Sequence, residues 1–367
     1  MFDPEKYRDR IEESKRRLEI TRQFREPDRV PINISASGSY YCWLLGVNIR
    51  DYYLDLDLQI EVQMKGQEWH FETLQDDRTG YGLHVDNGPL GEALLWDMPI
   101  ERPDNTSPWG VRVVHTLEDI DRLPVPDPAQ SQGVKWAFER YEQMKEKAKQ
   151  RGIGLPVGGG LGIHPPLSCA CALAPPDLVY EWMATHPDKI RAFFDKCFEA
   201  FCRLVDFNDR YFGVTEHKHL GLADDNSAFV SADMYRKMVL PYNKALYDRY
   251  GSEGRYLHAD GPNDHLFEVY ANEIKLTQMD IGGFSDIAKA KPVLQGKVVM
   301  SGGLNCKDLY GDFEHAKPAI DRAIRIGAPG GGFILAIGGE TYVGVNPDTL
   351  VHAVAYAKQA GKYPISV

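Results

Sequence analysis

From residue 152 onward, short apolar runs alternate with longer amphipathic ones, and this alternation limits the possible folds more than any other feature of the chain. The apolar runs predict strands at Ile153–Gly158, Leu220–Ala223, Tyr256–Ala259, Leu276–Asp280, Val298–Ser301 and Phe333–Ile337. The spacing between them predicts helices near 176–208, 231–250, 263–273, 283–291, 311–327 and 347–360. Buried strands that return through helices pair in parallel, because each crossover brings the chain back to the same edge. Six or more such units in 367 residues favour a closed (β/α)8 TIM barrel over an open sheet. A charge-rich amphipathic segment at 5–25 predicts an N-terminal helical extension, stopped by Pro27-Asp28-Arg29-Val30-Pro31. With 43% hydrophobic residues and no low-complexity linker, 1–367 reads as a single domain.

The formal net charge of −11 argues against nucleic acid or an anionic membrane as the main partner. Six cysteines in so long a chain do not make a disulfide framework, and no zinc-ribbon spacing is present. The polar start, Phe2-Asp3-Pro4-Glu5-Lys6, does not read as a signal peptide, and no apolar run approaches the ~20 residues of a membrane span. A cytoplasmic location is the expectation.

In a barrel of this class the chemistry sits at the C-terminal strand ends. Those ends carry Asp224-Asp225-Asn226, His258-Ala259-Asp260-Gly261, Asp280-Ile281-Gly282, Gly302-Gly303-Leu304-Asn305 and Gly338-Gly339-Glu340. Residues two apart on an extended segment face the same way, so His258 and Asp260 could grip one metal ion, with Glu340 as third ligand from the last strand. A His–Asp pair that only braces a turn is the competing reading. Asp224 and Asp225 alternate in direction; one should face the pocket as base or substrate anchor and the other should cap the next turn. His164 stands at the rim of the glycine-rich run Gly158-Gly159-Gly160, which lacks the Lys-Ser/Thr ending of a P-loop. His164, Tyr40, Asn305 and Asp280 are the expected substrate-binding residues. Tyr41, Trp43, Trp96 and Trp109 could join Tyr40 in walling an aromatic pocket, although most aromatic residues belong to the core. Glu216-His217-Lys218-His219 precedes its strand and reads as polar surface, and Cys169-x-Cys171 reads as buried packing.

These stretches resemble the uroporphyrinogen decarboxylase superfamily, which includes corrinoid-dependent methyltransferases. The resemblance rests on Pro27-Asp28-Arg29-Val30-Pro31, on His115 to Asp121 before Leu123-Pro124, and on Ala223-Asp224-Asp225 with Ser231 to Tyr242. It continues through His258-Ala259-Asp260-Gly261, Ser301 to Asn305 and Gly332 to Leu335, leading to Asn346 to Leu350. True decarboxylases of the family carry arginines after the first strand, where this chain reads Ser35-Ala36-Ser37-Gly38-Ser39-Tyr40-Tyr41. The thiol-methylating branch is similar at His258 but has cysteines where this chain has Asp260 and Gly339, with Glu340 the nearest replacement.

The resemblance therefore implies a methyltransferase closer to the corrinoid branch than to true decarboxylases. It would move a methyl group between a small methylated substrate, such as a methoxy-aromatic compound, and a corrinoid. Zn²⁺ on His258, Asp260 and Glu340 would assist, with Asp224 and Asp225 as catalytic residues. No D-x-H-x-x-G carrier segment occurs, so a separate corrinoid protein would bring the cofactor. A homodimer is compatible with this reading. Two alternatives stand beside it: a metal-independent decarboxylase of a smaller substrate, and a barrel that binds a tetrapyrrole or corrinoid without turnover.

Overall fold

The computed structural model describes Phe2–Ile365; Met1, Ser366 and Val367 lie outside the described residues. Its strands are β1 (Ile32–Asn33), β2 (Leu83–His84), β3 (Ile100–Glu101), β4 (Trp109–Gly110), β5 (Val157–Gly158), β6 (His219–Ala223), β7 (Gly254–His258), β8 (Gln278–Ile281), β9 (Val299–Leu304) and β10 (Phe333–Ile337). Two compact units divide the chain.

The first unit comprises Met1–Val47, Glu61–Tyr81 and Arg255–Val367. Its strands run in the order β1-β10-β9-β8-β7, and every neighbouring pair is parallel. All five residues of β10 are buried, as befits a parallel strand covered on both faces. Helices Ile287–Leu294 and Phe313–Gly327 connect β8 to β9 and β9 to β10. Phe313–Gly327 starts where the Asp312 carboxylate accepts the His315 amide. It buries Ala316, Ile320, Ala323 and Ile324, a stripe at four- and three-residue spacing.

The second unit comprises Asn48–Ile60 and Gly82–Gly254. It holds β6, the parallel pair β2–β5 and the antiparallel pair β3–β4. Its long helices are Gln132–Gln150, Pro176–Thr185 and Pro187–Phe212.

The elements differ from the sequence expectation in several places. The single helix expected at 176–208 is two, because Pro187 pushes His186 out of helical geometry, with φ −133° and ψ 56°. The strand expected at Ile153–Gly158 shrinks to Val157–Gly158, since Pro156 has no N–H to donate to a ladder. The helical stretches at 231–250 and 263–273 contain π turns at Tyr235–Val239 and Tyr270–Ile274. The segment after β1 forms a helix, Gly38–Leu45, that buries Tyr40, Tyr41 and Cys42.

Candidate active site

In the first unit the strand ends assemble a histidine–carboxylate group. Register pairs Tyr256 with Gln278 and Leu257 with Met279. Two residues further on, on the same face, His258 meets Asp280: imidazole Nδ1 and carboxylate Oδ2 are 2.7 Å apart. The Tyr256 hydroxyl donates to the same oxygen at 2.6 Å. Asp280 is therefore the acceptor that orients His258, rather than the substrate ligand expected from sequence. With Nδ1 so engaged, Nε2 is the nitrogen presented toward Asp260, whose Oδ1 is 3.7 Å away.

The loop carrying Asp260 is braced from below. Buried Asn263 donates to the Ala259 and Gly261 carbonyls at 3.3 and 2.8 Å, and it accepts from Tyr270 at 3.1 Å. The Ser285 hydroxyl donates to the Gly261 carbonyl at 3.0 Å. Gly339 has φ +90°, and a Cβ there would lie 3.0 Å from both carboxylate oxygens of Asp260. The place where the resemblance puts a cysteine thus points straight at the Asp260 carboxylate. Glu340 is exposed and does not come within common ligand distance of both His258 and Asp260.

Tyr40 and Asn305 are not placed as substrate ligands. Tyr40 is fully buried, donates to the Val345 carbonyl at 3.1 Å and packs against Trp43 and Trp69. Asn305 caps the short helix Cys306–Leu309 and donates to the Gly283 carbonyl at 2.5 Å.

In the second unit, His164, Asp225 and Asn226 share a cavity of about 390 Å³ with Glu92, Arg112 and Trp109. Buried Glu92 accepts both the His164 backbone amide at 2.7 Å and the ring Nδ1 at 2.9 Å. Burial alone would pull the His164 pKa down. The hydrogen bond and charge of Glu92, with smaller help from Asp225 and Asp224, outweigh it and hold the imidazole above its ordinary value. Arg112 is fixed by its Nε, which donates to the Cys171 carbonyl at 3.2 Å. Trp96 instead points its indole N–H at the Pro124 carbonyl, 3.1 Å away, and does not line this cavity.

Asp224 and Asp225 part company, although neither side chain caps the turn that follows: the Asp224 side chain makes no capping hydrogen bond. Asp225 lines the cavity, whereas Asp224 is buried and accepts from Ser168 at 2.7 Å, Asn243 at 2.7 Å and Ser227. Burial raises the Asp224 pKa even against those three donors. The glycine run gives clearance of a different kind: a Cβ on Gly159 would strike the Tyr141 ring at 2.6 Å. All six cysteines are buried and unpaired as disulfides. His217 bonds Asp209 at 2.8 Å, so the Glu216–His219 stretch carries a local ion pair.

Sequence reasoning missed Glu92 and Arg112. An acid inside the apolar run Pro89-Leu90-Gly91-Glu92-Ala93-Leu94-Leu95 was the available signal for Glu92, since a buried carboxylate needs a partner. Arg112 carried none.

A search of curated proteins gave no match. Among solved structures, a methyltransferase from Methanosarcina mazei is similar over 94% of this chain and 98% of its own, with TM-score 0.66 and 16% identity. That likeness shows a shared fold, of the (β/α)8 type that the strand–helix alternation implies. A putative vitamin-B12-independent methionine synthase from Listeria monocytogenes aligns over 60% of this chain and 68% of its own at 15% identity, but its TM-score of 0.33 carries no argument. No described helix is long and apolar enough to cross a membrane. The uroporphyrinogen decarboxylase (URO-D) family profile matches residues 14–360, nearly the whole sequence, and the chain belongs to that family.

Proposed function

We propose that the protein is a cytoplasmic methyltransferase that moves a methyl group between a small methoxylated molecule and a corrinoid held by a separate protein. The observation that carries this reading is the His258–Asp280 pair beside Asp260. A histidine whose Nδ1 is fixed by a carboxylate presents Nε2 as a metal ligand. Ligand atoms of one tetrahedral Zn²⁺, each at ~2.0–2.2 Å, stand roughly 3.4 Å apart. The 3.7 Å between His258 Nε2 and Asp260 Oδ1 is within a few tenths of an ångström of that spacing.

His258 and Asp260 would hold the metal, and Glu340 stands outside the ligand set. A Zn²⁺ bound there would supply Lewis acidity toward an ether oxygen, for which nitrogen and oxygen ligands suit it better than sulfur would. The chain's own residues do the rest. In the second unit, the 390 Å³ cavity falls in the range of roughly 300–1,000 Å³ typical for small molecules, and Trp109 gives it an aromatic face. Within that cavity His164, protonated more readily than an ordinary histidine, is the group able to donate a proton. Asp225 offers the same cavity a carboxylate to orient a bound molecule, and Asp224 acts as a positioning residue through Ser168 and Asn243.

The similarity to a methyltransferase and the missing arginines after β1 favour this reading over decarboxylation of a porphyrinogen. The test is the zinc content of purified protein together with methylation of cob(I)alamin by a panel of methoxy-aromatic donors. Stoichiometric zinc that His258→Ala removes, with donor-dependent methylcobalamin formation, is the expected result. Metal-free wild-type protein would end the zinc reading, and no signal from any donor would count against demethylation.

A further inference from the structure

The first unit contains a second cavity, of about 440 Å³, lined by residues of the N-terminal helix, the approach to β1 and the C-terminal helix. Its acidic side chains, the exposed Glu13 apart, are already engaged. Asp77 takes Arg17 at 2.6 Å, Arg29 at 2.6 and 3.0 Å, the Ser14 hydroxyl at 3.0 Å and the Ile32 amide at 2.8 Å. Asp28 takes both remaining Arg17 nitrogens at 2.8 Å. Asp76 is turned onto the Ile34 and Arg78 amides. Glu13, on the rim, reaches only Arg17, at 3.8 Å.

Three cations of the same cavity, Arg10, Lys358 and Lys362, have no such acceptor among the described residues, and the first two are part-buried. The Arg10 guanidinium carbon lies 5.2 Å from the ring centroids of both Tyr7 and Phe71, and no carboxylate among the described residues pairs with its N–H groups. Lys358, half-buried on helix Pro347–Ala360, forms no ion pair or hydrogen bond among the described residues. Burial and the neighbouring Arg29 and Arg10 push its ammonium below the ordinary lysine value, against the weaker pull of Asp77 and Asp76. Half-buried like charges that repel one another around open space are costly unless a counter-ion joins them.

We propose that this cavity binds a small multiply charged oxyanion, a phosphate ester or a polycarboxylate, between Arg10 and Lys358, with Arg29 behind them. The Arg10 guanidinium offers a planar edge to two oxygens, and Lys358 adds a point charge. The cation–π contacts of Arg10 with Tyr7 and Phe71 restrict its movement before a ligand arrives. The site uses none of the residues assigned to methyl transfer, so it stands or falls separately.

The test is thermal unfolding of the full chain in sodium phosphate, sodium pyrophosphate or sodium citrate, each against sodium chloride of equal ionic strength. A saturable rise in Tm is expected with at least one oxyanion and not with chloride. Lys358→Gln and Arg10→Gln should each weaken the apparent affinity about 10-fold or more. Lys358→Gln should melt no lower than wild type in chloride, because it removes a repelled charge; this separates lost binding from lost folding. Stronger stabilisation by pyrophosphate assigns the site to phosphate compounds, and stronger stabilisation by citrate assigns it to polycarboxylates. A response that chloride reproduces, or one unchanged in both variants, overturns the proposal.

Discussion

The imidazole Nδ1 of His258 lies 2.7 Å from the Asp280 carboxylate, which fixes the ring's second nitrogen toward Asp260. Outer carboxylates of this kind orient the ring and make it a better ligand. Asp280→Asn should therefore lower zinc affinity about 10–100-fold while leaving the fold intact. Competition titration against a chromogenic chelator measures this directly. An affinity equal to wild type would mean that Asp280 serves strand pairing alone.

Gly339→Ala should damage both stability and the site. Its φ of +90° disfavours any side chain, and the new methyl would press on Asp260 at 3.0 Å. A loss of about 1–3 kcal/mol in urea unfolding is expected, together with weaker zinc binding, since Asp260 must move.

The Glu92–His164 pair makes a pH prediction. The His164 pKa is raised in the folded state, so the stability it contributes is full below the unfolded value of about 6.5 and is lost as pH rises through the folded pKa. Glu92→Gln removes the largest raising influence and leaves burial, which acts the other way. NMR titration of the His164 ring should then give a midpoint below the ordinary histidine value. If His164 donates the proton, the alkaline limb of kcat should move to lower pH in the same variant.

Tyr40→Phe separates core from pocket. The Tyr40 hydroxyl is spent on the Val345 carbonyl, so its loss should cost ~1 kcal/mol of stability. KM for any methyl donor should stay unchanged; a raised KM would return Tyr40 to the substrate.

Asp224→Ala should be the most disruptive of these changes, because it strands buried donors on Ser168, Ser227 and Asn243. A loss of roughly 3 kcal/mol is expected in equilibrium unfolding. Asp224→Asn, which keeps an acceptor oxygen in place, should cost less.

Strand positions and their parallel pairing were legible in the sequence because burial and alternation are local signals. The parallel strands β7 to β10 fall where the apolar runs place them, and His258 and Asp260 emerge on one side of β7 as a two-residue period requires. The partner of His258 was not legible. Asp280 reaches it only through the β7–β8 register, which no spacing within one segment encodes. Glu340 illustrates the reverse: it follows β10 as a ligand should, yet the turn through Gly338 and Gly339 leaves it exposed. Tyr40 was misplaced because the serine- and glycine-rich start of its segment hid a helix with a buried face.

The contact between Gly339 and Asp260 also bears on how such a site can change over time. The two positions share space for one ligating side chain, since an atom added at 339 meets the carboxylate already at 260. A drift toward sulfur ligands cannot begin at 339 while Asp260 keeps its place. The order of substitutions is thus constrained: position 260 must shrink or turn away first, and each change alone should be worse than the pair together.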